Sequence, residues 1–473
     1  MPRSRRVWRF RIAAVMVGLL PIVLAEIGLR VLGEPPSATT SDPFIDVSQL
    51  KPLFVPADDP AELEIGQQRL NLFNQANFQR VKPAGTYRVF ALGGSTTYGE
   101  PYNSPTAFPK WLQLNLQAAQ PKRTVEVINC GGLSYASYRV LAILREVLQY
   151  EPDLIVIYTG HNEYLERRTY PPLSQSPWIA KIRLVQLVSS WLRSTGTDRG
   201  NVKSRTVMHA EVEALLDYSG GLEEYHRDDQ WREPVVDHFE FNLRQMVAAC
   251  DSANVPLLMV NPVSNLLDCP PMKFELASSL DSEDRAEFER LWQRATIAAQ
   301  PAEAIESLRK ALAIDPFHAG ANYLLGRLLV QAGDDQAKRF LIEAKDQDVC
   351  PLRATSHIQA RVLQVAQDLD VALVDADRLF SELSENGIVG DRWLVDHIHP
   401  SVEGHQRLGE AIAAELIQRQ VVKVGNVNWQ TDRQQLYDQH LNSLNEAYYH
   451  RGQQRLEGLR LWTQGRAKKV RPQ

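Results

Sequence analysis

Cysteine is scarce, with 4 in 473 residues, so at most two bridges can form and a small disulfide-framed scaffold is excluded. Their spacing does not resemble a zinc site either. No charge of one sign dominates: the formal net charge is -5 and the pI near 6.2, so no global basic field speaks for a nucleic-acid partner. The apolar stretch at the amino terminus, Ile12 to Ala25, falls short of the roughly 20 residues of a comfortable membrane span. What remains, 44% hydrophobic and 23% charged, is the composition of an ordinary folded protein, one large domain with insertions or two domains.

The amino terminus differs in kind. Arg3, Arg5, Arg6, Arg9 and Arg11 precede the apolar stretch, which Ile27, Leu29, Val31 and Leu32 extend past Glu26. An uncleaved anchor over 1–33 is preferred to a removed signal peptide, for which Val23-Leu24-Ala25 offers a small residue at the cut. By the positive-inside rule the arginines stay cytoplasmic and the globular part faces the periplasm or cell envelope. Cys269-Pro270 and Cys350-Pro351 bracket a long helical stretch, and an exported chain of this kind is expected to pair them. Cys130 and Cys250 read as small buried hydrophobes.

A lead-in segment, 34–85, is loop-like and contains proline. After it, Tyr87–Leu92, Val125–Asn129, Asp153–Tyr158, Val255–Val260 and Val371–Asp375 read as strands. Stretches near 105–120, 136–149, 238–253, 355–369 and 402–420 place apolar residues at helical spacing. Such alternation predicts a parallel sheet with helices on both faces, whose sites lie at the carboxyl ends of the strands.

The core is predicted in two parts, 86–281 and 349–422, and carries two insertions. In the first, 165–237, Trp178, Ile182, Val185 and Trp191 belong to an aromatic-rich helical face; it reads as a helix packed on the core, or as a lid beside the site. The second, 282–348, resembles tetratricopeptide repeats: Ala304, Leu308, Ala311 and Pro316 mark one repeat's second helix and exit turn, and Leu325-Gly326, Leu329, Gly333, Ala337, Leu341 and Ala344 continue into the next. Fewer than about three repeats do not stand alone, so the segment must lean on the core. A packing hairpin is preferred to a groove that binds a protein partner. The tail, 423–473, reads as amphipathic helix ending in basic residues, solvated by default, with lipid headgroups or a partner as the second reading.

Four short segments carry the chemistry. Ser95 follows the first strand in Leu92-Gly93-Gly94-Ser95-Thr96-Thr97, and a serine becomes a nucleophile when a base takes its proton. Asp396-His397-Ile398-His399-Pro400 lies far downstream; Asp396 can fix the tautomer of His399 and steady its imidazolium. Attack on an acyl carbonyl builds an oxyanion that needs preset donors. Asn162, in Gly160-His161-Asn162-Glu163, offers a side-chain amide, and the loop 129–136 a backbone N–H. His161, His397 and His405 read as supporting or packing residues, and without further ligands no metal is expected.

In this order, each after its strand, these segments resemble the GDSL or SGNH hydrolase superfamily over roughly residues 85–170, 237–265 and 355–420. The resemblance implies a flavodoxin-like three-layer α/β/α fold with a five-stranded parallel sheet and no cofactor. It implies Ser95 as nucleophile, His399 as base, Asp396 as its orienter, and Ser95 N–H, Ser134 N–H and Asn162 as the oxyanion hole. Gly94 stands where the family name has aspartate, and Glu163 follows Asn162 where aspartate is usual. Ser134 stands where the family has its oxyanion glycine when the block is aligned on Asn129; in another register Gly131 or Gly132 takes that place. The expected activity is ester hydrolysis, with O-acetyl groups on cell-envelope carbohydrate or lipid esters as substrates. An O-acyltransferase using the same triad, and a non-catalytic envelope scaffold working through the repeats, are the alternatives.

Overall fold

The computed structural model describes residues 42–168, 170 and 206–466, besides Leu20, Pro21 and Gly28. The chain divides into two compact units. Of the smaller, formed by 1–49 and 168–208, the described part holds β1 (Ile45–Asp46) paired in parallel with β8 (Thr206–Val207). The anchor expected over 1–33, save Leu20, Pro21 and Gly28, and the aromatic face of the first insertion lie outside the described residues. Among the described residues no helix is long and apolar enough to cross a membrane.

The larger unit is built on five parallel strands: β5 (Thr86–Gly93), β6 (Thr124–Gly131), β7 (Leu154–Tyr158), β9 (Leu257–Asn261) and β10 (Ala372–Asp375), ordered β10-β9-β7-β5-β6. The first strand in sequence thus lies between the second and third. This is the flavodoxin-like order, and its chain reversal beside β5 opens a crevice at the strand ends. Both faces of β5 are buried, and all five residues of β7 are too, because helices cover the sheet on either side.

On one face α2 (Phe108–Ala119) packs with α11 (Val402–Gln418). Phe108, Leu112 and Leu116 meet Leu408, Ile412 and Leu416 over Val89, Ala91, Val156 and Val260. On the other, α3 (Ser137–Val147), α4 (Asp229–Ser252) and α9 (Ser356–Asp368) pack together. Two of these starts are legible in local chemistry. Thr355 caps α9 by accepting from Ile358 N–H, and Ser401 caps α11 by accepting from Gly404 N–H. At the open edge, Gln117 accepts from Val125 N–H and Gln113 donates to Val125 C=O, so two side chains of α2 occupy the ladder groups a neighbouring strand would use.

The lead-in segment corrects the loop-like expectation. It forms a three-stranded antiparallel sheet of β2 (Phe54–Pro56), β3 (Glu62–Ile65) and β4 (Asn77–Gln79). The Glu146 carboxylate accepts from Leu53 and Phe54 N–H at 2.7 and 2.8 Å, and Phe54, Phe78 and Phe90 meet edge to face. Contacts so distant in sequence leave no periodic trace in runs of three or four residues.

The second insertion folds as four helices, α5 (Ser282–Ile297), α6 (Pro301–Ile314), α7 (Ala319–Gln331) and α8 (Ala337–Asp346), joined in one apolar cluster. Leu266 and Ile388, from outside the insertion, belong to that cluster. Its dependence on the core is therefore physical. Asp348 at its end accepts from Met272, Lys273 and Cys350 N–H.

The expected Cys269–Cys350 bridge is absent; both are buried free thiols, as are Cys130 and Cys250. An Arg–Asp pair ties the two segments instead. Arg353 donates to Cys269 C=O at 2.7 Å and lies 3.4 Å from Asp348, which itself holds Cys350 N–H. The Cys350 thiol lies against the Tyr225 hydroxyl. Burial pushes the Cys269 thiol up to about 11, which keeps it protonated and unreactive at neutral pH.

After α11 the chain forms α12 (Trp429–Asn442), packed on α2 through the ring contact of Trp111 with Tyr437 at 4.7 Å, and α13 (Glu446–Thr463).

Candidate active site

The site lies in the crevice at the chain reversal, where β5 and β7 end. Ser95 opens the four-residue α1 (Ser95–Tyr98) directly after β5. Its N–H therefore falls among the first-turn donors that helix geometry leaves unpaired. Asn129, at the end of β6, fixes the far side of this turn by donating to Thr97 C=O at 2.8 Å and Tyr98 C=O at 3.3 Å. Asn74 adds a bond to Tyr98 C=O at 2.8 Å.

From the other end of the chain, the loop between α10 (Ala376–Glu382) and α11 carries Asp396 and His399. His399 Nε2 lies 2.7 Å from Ser95 Oγ, and its Nδ1 lies 2.7 Å from Asp396 Oδ2. The other carboxylate oxygen, Oδ1, accepts from Ile398 and His399 N–H at 2.9 and 2.8 Å. Asn265, fully buried after β9, anchors the loop: its N–H donates to His397 C=O and its amide to Asp396 C=O, both at 3.0 Å.

Electrostatics follow from this geometry. Burial opposes the charge on Asp396, but His399 and His397 together with the accepted hydrogen bonds outweigh it and hold the carboxyl well below the usual range. Burial likewise opposes a charge on His399, and Asp396 reverses that, raising its pKa. A base so tuned takes up a proton readily. For His397, 3.5 Å from Asp396 Oδ1, burial outweighs the pull of that carboxylate and brings it down to about 4. Burial also pushes His161 well below its ordinary value, and His405 to about 3. Their nitrogens serve the frame: His161 Nδ1 accepts from Ala354 N–H, and His405 Nδ1 from Phe108 N–H, both at 3.2 Å.

Asn162 and Ser134 line the same cavity as Ser95 and His399. The Asn162 amide donates to Tyr135 C=O at 3.0 Å, which orients the group and leaves its second N–H for another acceptor. Ser134 has φ of 61°, in the left-handed region that favours glycine. That explains why a glycine is expected there. Glu163, whose role the sequence does not reveal, caps α3: it accepts from Ser137 N–H at 2.8 Å and from Ser137 Oγ at 2.9 Å.

The cavity measures about 230 Å³. Its apolar lining comes from Leu72, Leu133, Val212, Leu352, Leu459 and Trp462, the last two on α13. Glu100, five residues after Ser95, also faces it; burial raises its pKa, and its Oε2 has no hydrogen-bond partner. Sequence reasoning missed both contributions. Asp396, His397 and His399 place three ligand-type atoms within 4.8 Å of one another. Of these groups, however, the Asp396 carboxylate and both His399 nitrogens are engaged in the hydrogen-bonded chain above, so a cation there would displace it.

Residues 91–305 match the model of the GDSL-like lipase/acylhydrolase family, and 295–350 that of the tetratricopeptide repeat. The first match ends before Asp396 and His399. Among solved structures, a lipase/acylhydrolase from Enterococcus faecalis is 14% identical, covering 72% of this chain and 100% of its own, at a TM-score of 0.33. An acetylxylan esterase from Geobacillus stearothermophilus, in a catalytic mutant form, is 14% identical over 72% and 96%, at 0.32. A GDSL-like lipase from Bacteroides thetaiotaomicron is 12% identical over 70% and 88%, at 0.29. No curated protein matches this sequence. The chain carries a hydrolase domain of the GDSL-like lipase/acylhydrolase family, with a tetratricopeptide segment set into it.

Proposed function

We propose that the protein is a serine esterase that cleaves acyl esters through an acyl-enzyme on Ser95. The observation that supports this most is the unbroken chain Ser95 Oγ to His399 Nε2, then Nδ1 to Asp396, each link 2.7 Å. Ser95 Oγ attacks the ester carbonyl while His399 Nε2 takes its proton and Asp396 steadies the imidazolium. The oxyanion is received by the N–H groups of Ser95 and Ser134 and the free amide hydrogen of Asn162. His399 returns the proton to the departing alcohol. Water, deprotonated in turn by His399, then releases the acid and regenerates the serine. Ser95→Ala should leave the thermal melt in place and cut turnover of a chromogenic acetyl ester by at least about 10³-fold. Turnover within tenfold of the parent would sink the reading.

The substrates proposed are O-acyl esters of cell-envelope carbohydrate or lipid, met outside the cytoplasm by a chain held through residues 1–33. The arginine-flanked apolar stretch motivates that location. Expression of the full chain should place it in the membrane fraction, with the hydrolase domain open to externally added protease. Recovery of intact, protected protein in the cytosol would count against it.

A further inference from the structure

Helix α13 lies far outside the span that matches the hydrolase family, and its own pattern marks it as a solvated helix, with Gly452 and Thr463 its only buried residues. Its contacts say otherwise. Gly452 leaves room for the Tyr102 ring, where any Cβ would collide. Arg455 donates to Pro101 C=O at 3.4 Å and lies 3.9 Å from the Glu100 carboxylate. Arg460 donates to Val395 C=O at 3.2 Å. The helix is thereby fastened to the loop just after the nucleophile and to the loop just before Asp396. Beside the second attachment Leu459 and Trp462 enter the wall of the cavity that holds Ser95 and His399. The Trp462 indole is not free to swing, since its Nε1 donates to Asp217 at 3.0 Å, and Asp217 lines the same cavity.

We propose that α13 is a component of the active site, and that Leu459 and Trp462 set ester size by closing the cavity against long acyl chains. This rests on the Ser95 reading above. A cavity of about 230 Å³ exceeds only modestly the ~150 Å³ that takes a benzene-sized group. It receives an acetyl to butyryl group and stops an extended fatty chain at the indole. Truncating either side chain opens the wall toward solvent and removes the obstruction without touching Ser95, His399 or Asp396.

The experiment is a series of 4-nitrophenyl esters from acetate to octanoate, with the full chain, Leu459→Ala, Trp462→Ala and the control Leu461→Ala. Leu461 is 46% exposed and does not line the cavity. The parent and the control should favour acetate. Each of the two wall variants should raise the octanoate-to-acetate ratio of kcat/KM by about tenfold or more, since one methylene's worth of apolar fit is worth that much. Should Trp462→Ala fail to fold by thermal melt, Leu459→Ala, the smaller loss, carries the test. An unchanged ratio in the folded wall variants, or a parent already indifferent to chain length, overturns the proposal and leaves Ser95 standing. A parent that turns over no ester and whose Ser95 resists a fluorophosphonate sinks both.

Discussion

Gly94 has no side chain, and the amide of Asn162 uses the space. A Cβ at position 94 would sit 2.5 Å from Asn162 Nδ2, closer than any van der Waals contact allows. Asn162 cannot yield freely, being buried and tied to Tyr135 C=O. Gly94→Ala therefore displaces Asn162, the proposed oxyanion donor, rather than Ser95, the proposed nucleophile. Loss of one such donor costs about 10²–10³ in kcat, while KM, which reports ground-state binding, should change little. The overpacking itself should lower stability by about 1–3 kcal/mol. Steady-state kinetics on an acetyl ester, with a melt alongside, check both numbers; a parental kcat would show that Asn162 does not serve the oxyanion. The sequence shows Asn162 and Gly94 as neighbours of a turn and a motif. It does not show that one excludes a side chain at the other. That exclusion comes from β5 and β7 ending side by side, which no local pattern records.

At the scale of elements, legibility follows the range of the forces involved. Strands buried on both faces read as β-branched runs, and the ends expected at Leu92, Tyr158 and Asp375 fall within one residue of those observed. That they run parallel was within reach, because helix-spaced segments between strands force crossovers; their order is a tertiary property that only the family resemblance implied. Helix α4 begins at Asp229, well before the expected 238, behind the Asp228 cap and with Pro234 inside it. Apolar spacing locates the buried part of a helix and misses its polar first turns. The lead-in sheet, and the packing of α13, which was read as helix but as a solvated one, escaped the sequence for a shared reason. Each is fixed by single distant partners, Glu146 for β2 and Tyr102, Asp217 and Val395 for α13, instead of by a repeating apolar face. Ser95, Asp396 and His399, which the structure brings into one hydrogen-bonded chain, could be singled out because the proposed chemistry restricts residue types. Glu100, Leu459 and Trp462 were not, since many residue types can line a cavity.

Across the whole molecule, burial of neutral histidines sets how the fold answers acid. His161, His318, His397 and His405 are all buried. Burial lowers the first well below 6.5, brings His318 and His397 to about 4, and His405 to about 3. An unfolded chain binds their protons as pH falls through 6.5, while the native state refuses them until much lower. Stability from these groups is therefore complete above pH 6.5 and is lost progressively toward pH 3. Asp396, lowered by its histidine partners, adds a further loss once pH drops below the ordinary carboxylate value. Four groups act in the opposite sense, among them Glu100 and Asp377, whose carboxyls burial raises. His399, raised by Asp396, stabilises the fold below 6.5 and ceases to as pH rises through its folded value. Asp348, which burial raises to about 6 against the pull of Arg353, destabilises the fold above that pH and is relieved below it. The four lowered histidines, displaced over the wider range, outweigh these four at about 1.4 kcal/mol per pKa unit, so a net loss of a few kcal/mol is expected between pH 7 and 4.5. Thermal midpoints across that range measure it. His405→Gln, which keeps an acceptor for Phe108 N–H and cannot titrate, should flatten the slope below pH 6.5. A parent protein equally stable at pH 7 and 4.5, or a variant with an unaltered slope, would show that these histidines do not govern its acid response.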